Sequence, residues 1–377
     1  MPTANFINLC TDKIAKVNYY FYLDNSPLTD VKSISDIRRN NSLSVGEVIV
    51  LLDNTAGTYD YLYDDANYLH IEGTVQLGFD NELEVLNLFT GILENVLFLD
   101  KDALVQLTFN DKASMFLQTM VGDSETPVEY GHLSDTLVSD VVWDILTNYG
   151  NLDPTTTSAN VDIDYDWWLA WAVIMLNGGA ALDPYYLQFY LTGQSIGSIL
   201  QKVCDLTEST IWVDGGGKVK FTHRLMATSG QVYTQSNIID RSLALSTDER
   251  VGGFNCYYGY DNTTGEWAGN IPQYSASTWT LGRLRYDPWL IEQDRTIWHR
   301  TELSAQRFID ESDERIGYPT RRFNITTGLT GFLDDIGNMP NNQHNIGDIT
   351  LDDFYIEEMT LTCDQGIARI TGCWLYA

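Results

Sequence analysis

Residues 84–111, EVLNLFTGILENVLFLDKDALVQLTFND, alternate apolar and polar side chains in two runs, through 89–93 and through 103–109, with the charged Asp100-Lys101-Asp102 bend between them. A period of two places every second side chain on one face of an extended strand, whereas a helix needs apolar residues three and four apart. The stretch therefore predicts two paired strands. The Thr90-Gly91 step inside the first is unusual, because an interior glycine weakens a strand unless a bend or a close backbone approach requires it.

The same period runs through most of residues 17–109, punctuated by turn residues at 24–27, 53–57 and 79–81. GEVIVLLDN, residues 46–54, reads as a core strand entering an Asp-Asn-x-x-Gly turn, and 70–77 and 85–95 as the next strands. Residues 1–111 are thus expected to form a first β-domain, a barrel or a sandwich.

Residues 112–235 read as a mixed α/β domain. SDVVWDILTNY, residues 139–149, sets Val141, Val142, Ile145, Leu146 and Tyr149 on one helical face, with Ser139 as N-cap and Gly150 as the stop. A second helix at 195–204 carries the stripe Ile196, Ile199, Leu200, Val203 and Cys204, the pattern of a helix packed on a sheet. A hairpin at 211–221 follows, turning through Asp214-Gly215-Gly216-Gly217, where glycine supplies the positive φ of a tight turn. A phosphate loop would need GxxxxGK[ST] opening a helix, and these glycines join two strands.

Residues 236–377 return to strands, with one helix near 300–315 whose apolar side is Leu303, Ala305, Phe308 and Ile309. A Gly- and Asn-rich loop at 328–345 and a final hairpin, 354–361 with 368–375, complete the chain. The order is β, mixed, β. It predicts an α+β, mainly β protein whose outer thirds are two related β-barrel domains around the mixed one.

Composition narrows the function classes. With 22 Lys and Arg against 52 Asp and Glu the formal charge is −30, which repels nucleic acid and anionic lipid. The 377 residues, 44% hydrophobic, can bury substantial cores. The N-terminal residues lack the basic start and apolar core of a secretory signal, so a reducing cytoplasm is the expected site of folding. Five scattered cysteines, Cys10, Cys204, Cys256, Cys363 and Cys373, contain no CxxC and are expected as buried free thiols. The most apolar run, 167–182, is too short for a membrane span and is broken by Asn177-Gly178-Gly179, so it reads as core or as a buried contact.

Catalysis needs a constellation, and none is visible. The histidines His70, His132, His223, His299 and His344 form no HExxH, and GxSxG is absent. The Asp-rich segments 60–65 and 162–166 do not have EF-hand spacing and read as turns or acidic surface. No catalytic residue and no metal ligand is expected.

Several separate patterns then coincide. The strand ending at Asp53-Asn54, the 71–75 strand with Gly73, the Thr90-Gly91 strand and the strand closing on Asn110-Asp111 resemble the first tube-like barrel of the tail hub proteins of tailed bacteriophages. That family includes baseplate hubs and late control protein D. The helix at 196–204 followed by Asp214 and Gly215 in its hairpin, and the 300–315 helix followed by Tyr318-Pro319 and by Gly347 and Asp348, are similar to later parts of the same family in the same order.

The resemblance implies a structural, non-enzymatic protein of the virion tail tip, made in the host bacterial cytoplasm. It implies a homotrimer whose two barrels per chain mimic sixfold symmetry, joining the tail tube or distal tail ring to a threefold tip. Tape measure and tip or fibre proteins would be its partners, and phage DNA would pass along an acidic wall without sequence-specific binding and without stable membrane insertion. Some relatives carry an iron-sulfur cluster on four cysteines; Cys204, Cys256, Cys363 and Cys373 are the candidates, but their spacing is far wider than cluster ligation normally shows, so no cofactor is expected. A distal tail or receptor-binding adaptor protein is the alternative, and a glycan-degrading tail enzyme using two carboxylates is a third.

Overall fold

The computed structural model describes residues 2–11, 17–40, 43–64, 71–80, 83–99, 101, 103–132, 134–177, 183–223, 226, 229–246, 253–274, 289–291, 295–316, 320–342 and 354–374. The first strands are β1 (Val17–Leu23), β2 (Ser26–Leu28), β3 (Val31–Ile34), β4 (Ile37–Asn40), β5 (Glu47–Asp53), β6 (Glu72–Phe79), β7 (Val85–Leu99) and β8 (Leu104–Asp111). All but β4 form a seven-stranded antiparallel sheet in the order β2-β1-β6-β7-β8-β5-β3. The period-two alternation is realised residue by residue: along β8, Val105, Leu107 and Phe109 are buried and the residues between them half-buried. Helix α1 (Ala4–Thr11) closes one end by setting Phe6 edge-on to Phe79 at 5.2 Å, and the short α2 (Tyr61–Asp64) buries Leu62.

The middle of the chain brings α3 (Ala113–Phe116), β9 (Met120–Val121), β10 (Val128–Tyr130), α4 (Val138–Asp144), α5 (Tyr165–Asn177), β11 (Leu187–Leu191), β12 (Gln194–Ser195), α6 (Ile196–Thr207), β13 (Ser209–Val213) and β14 (Val219–His223). The remainder adds β15 (Ser229–Tyr233), β16 (Ile238–Ser246), β17 (Gly253–Asp261), β18 (Glu266–Tyr274), β19 (Trp289–Ile291), β20 (Ile297–His299), α7 (Glu302–Ile316), β21 (Thr320–Thr327), β22 (Met339–Asn342), β23 (Phe354–Thr362) and β24 (Ile367–Trp374). A five-stranded sheet runs β16-β21-β24-β23-β4, and a mixed sheet runs β10-β11-β20-β17-β18 with β19 beside β17. The protein is α+β and mainly β.

Among the described residues the expected barrels are open sheets. β2 and β3 are the edges of the first, and β16 and β4 those of the second. An apolar sheet face can be hidden by closure or by another layer. Here the two sheets share one core, in which Val75, Leu77 and Phe109 of the first join Phe323, Ile325, Phe354 and Ile370 of the second. β4 ties them further, because residues 37–40 leave the first sheet to pair with 358–361 of the second.

A second core gathers α4, α6, β11 and β14 with Cys256 of β17, Ile297 of β20 and Ala305, Phe308 and Ile309 of α7. Residues 236–377 therefore contribute to both cores, with the 300–315 helix packed among the middle segment's elements. Period-two geometry makes β13 the seam: Ile211 points into the second core and Trp212 into the first.

Local expectations meet their exceptions at element ends. α4 starts from Leu137, which bridges Tyr186 in extended conformation, so Ser139 is a buried helical residue and not the N-cap. Its continuation, Ile145–Tyr149, is a π-turn; Gly150 follows with φ −77°, and the left-handed residue is Asn151. Ser195 does cap α6, accepting from the Ser198 amide at 3.3 Å. Leu303 is 58% exposed, because the inner face of α7 is shared with the buried polar Ser304, Arg307 and Glu311. The 328–345 loop contains a 3-10 turn at Leu329–Leu333 and strand β22. Tyr318-Pro319, Gly347, Asp348, His70 and His344 lie outside the described residues.

Candidate functional site

The Thr90-Gly91 step is a docking point for the glycine turn of the β13–β14 hairpin. β7 carries an extra residue at Leu88, since Phe89 pairs with Val75 and Asn87 with the adjacent Gln76. Such a bulge re-aims the backbone and frees a carbonyl from the ladder. The Leu88 carbonyl accepts from Arg39 Nη2, while Arg39 Nη1 is 3.1 Å from Asp335 Oδ1. Thr90 Oγ1 donates to the Gly215 carbonyl at 3.0 Å.

The glycines here are where backbones meet. A Cβ on Gly215 would stand 2.3 Å from the Asn87 carbonyl oxygen and 2.6 Å from Arg39 Nη2. One on Gly91 would stand 2.4 Å from the Asn110 carbonyl oxygen, and one on its cross-strand partner Gly73 would enter the Phe109 ring. Close approach, not a bend, explains the glycine in the strand.

Asp214 shapes the turn from inside. Its Oδ1 accepts from the Gly216 and Lys218 amides, both at 2.9 Å, and its Oδ2 lies 3.2 Å from Lys220 Nζ. Gly217 closes the turn at φ +77°, against Thr90. Nearby, Asp111 ends β8 by accepting from the Gly46 amide at 2.8 Å and the Ala113 amide at 2.9 Å, and burial pushes its carboxyl up to about 6 against those two bonds. Gly73, Thr90, Gly91, Asp214 and Gly215 thus belong to one junction.

A second polar assembly was not legible in the sequence. Glu311 is buried on α7 and receives Arg307 Nε at 2.9 Å, the Tyr185 hydroxyl at 2.7 Å and His223 Nε2 at 3.1 Å. Arg307 lies over the Tyr185 ring and also donates to the carbonyls of Ile174 and Met175, at the end of α5, and of Asp183 beyond it. Burial raises the Glu311 carboxyl, but His223 and Arg307 outweigh it and hold it low, at about 2. All four side chains are sealed within the second core, so the group can brace elements but has no surface for substrate.

The other candidates divide. Cys204 and Cys256 are buried in the second core, Cys363 in the first, and Cys373 on β24. Among the described residues no three His, Cys, Asp or Glu side chains converge to hold a metal ion. Burial pushes the Cys256 and Cys363 thiols up to about 12, so they remain protonated. Asp162 is neutralised by Lys112 at 2.8 Å, and Asp164 lies 3.9 Å from Lys220. A cavity of about 740 Å³ opens beside Cys10, Tyr19, Leu329 and Cys363; among the described residues its lining holds one carboxylate, Asp364, and no histidine. Among the described residues no helix is long and apolar enough to cross a membrane.

No family model and no curated protein matches the sequence. Solved structures do match the fold. The 43 kDa tail protein of prophage MuSo2 from Shewanella oneidensis aligns with a TM-score of 0.59 at 12% identity, covering 95% of this chain and 98% of that one. A tail protein from Neisseria meningitidis gives 0.57 at 10% identity, over 95% and 96%. The prophage tail protein gp18 from Listeria monocytogenes gives 0.57 at 10%, over 94% of both chains. At these identities the likeness is one of fold, and it extends over almost the whole length of each protein.

Proposed function

We propose that this chain is a structural component of a phage tail, and within the tail the hub at the tip or baseplate. The observation that carries this reading is the end-to-end likeness to three prophage tail proteins, each covered over 94% or more of its length. A shared fold alone does not transfer function. Two features of the chain add support. The titratable side chains of both polar assemblies are engaged in bracing contacts, and among the described residues the sheets end in open edges, β2, β3, β16 and β10 among them, which can add to a neighbour's sheet.

In this proposal three copies form a closed ring that joins the tail tube or distal tail ring to a threefold tip, contacts the tape measure and tip or fibre proteins, and lines the path of DNA ejection. The two sheets of each chain stand in for two subunits of a sixfold ring. Part of the −30 charge faces the channel, where it repels DNA phosphate and keeps the genome free to slide. The hub acts without catalysis and without a cofactor.

Counting copies per particle tests the reading. Quantitative mass spectrometry of purified particles against the major tube protein, with threefold-averaged electron microscopy of the tip, should return three copies in a ring. Six copies would move the chain to the distal tail ring, and its absence from particles would end the tail assignment.

A further inference from the structure

Helix α5 buries Trp171 and Met175 on one side and leaves Leu169, Val173 and Leu176 on the other, exposed by 46%, 46% and 42%. These three positions, spaced i, i+4 and i+7, lie within one narrow stripe. The outward side of a surface helix is normally polar; here it carries only Asp166 near its start and Asn177 at its end. An exposed apolar stripe of this kind marks an interaction surface.

Charge says what fits it. From 113 to 201 the chain contains eleven Asp and Glu residues and no Lys or Arg. Asp140, Asp166 and Asp183 are exposed around α5. Among the described residues the cations that approach from elsewhere are engaged: Lys112 with Asp162, Lys220 with Asp214 and the Trp167 ring, Arg300 with Asp135, and Arg307 beneath the helix end. We propose that the Leu169-Val173-Leu176 face docks an amphipathic helical segment of another protein, apolar along one side and flanked by lysine or arginine. A second copy of this acidic face, or an anionic bilayer, would be repelled. The argument stands on the helix and its surroundings alone, so its failure would leave the tail reading intact.

The test uses the full chain and a synthetic helical peptide of leucine and lysine with i, i+4, i+7 leucine spacing, with binding followed by anisotropy of the labelled peptide at physiological salt. Val173→Asn, which changes no charge, should weaken binding about tenfold, and Leu303→Gln, an exposed apolar residue on α7, should leave it unchanged. Equal affinity for the two variants, or no binding by the parent chain, would overturn the proposal. So would a Val173→Asn effect on self-association in sedimentation, which assigns the face to a second copy, or on binding to phosphatidylcholine–phosphatidylglycerol vesicles, which assigns it to a membrane.

Discussion

Asp334 is almost fully buried, accepting from the Gln231 amide at 2.9 Å, the Asn338 side chain at 3.3 Å and the Tyr233 hydroxyl. Desolvation outweighs those bonds, and repulsion from Asp335 adds to it, so the carboxyl is pushed up from 3.8 to about 6. Between about pH 4 and 6 the folded protein holds a proton that the unfolded chain has released. The stability this contributes is complete below about pH 4 and is lost as pH rises through about 6. Asp334→Asn keeps a neutral, similarly shaped group at every pH. Urea midpoints measured from pH 4 to 7 should therefore show the variant gaining on the parent as pH rises, and a constant gap would mean the carboxyl titrates normally.

Elements were more legible than their chemistry. The strand pair at 84–111, the capped helix after Ser195 and the hairpin around Asp214 could be read because local periodicity and turn residues decide them. The N-terminus of α4 could not, since Leu137 is held by a bridge to Tyr186, far along the chain. Thr90-Gly91 was visibly out of place in a strand, but Gly91 is explained only by the Asn110 carbonyl of the paired strand and Thr90 by the arrival of Gly215 from 125 residues away. The face of α7 misled for a related reason: Arg307 and Glu311 look like solvent charges until His223, Tyr185 and three carbonyls surround them. Removing one member of a buried pair strands the other, at about 3–5 kcal/mol, whereas replacing both with apolar residues is often close to neutral. Arg307→Met should thus destabilise by about 3–5 kcal/mol in chemical denaturation. Adding Glu311→Leu should recover part of that loss. No recovery would locate the cost in the orphaned carbonyls of Ile174, Met175 and Asp183 instead.

At the scale of the molecule, the two cores meet along β13 and are pinned where its turn lands on β7. Arg39 touches every party: its own strand pairs with β23 of the second sheet, its guanidinium holds the Leu88 carbonyl of the first sheet and Asp335, and it packs against Gly215 of the hairpin. This contact is how the fold can couple the two cores into one body. Hydrogen bonds to charged groups contribute about 1.5–3 kcal/mol each, so Arg39→Ala should cost a few kcal/mol and, more tellingly, uncouple the cores. Coincident transitions by different probes are the signature of one cooperative unit. Hydrogen exchange in rising urea, read on peptides of β7 and β8 for the first core and of α6 for the second, supplies such probes. The two cores should open together in the parent and separate in Arg39→Ala. If they remain superimposed in the variant, the coupling lies in the Trp167–Trp212 contact across the seam, 5.7 Å between rings, and not in the arginine clamp.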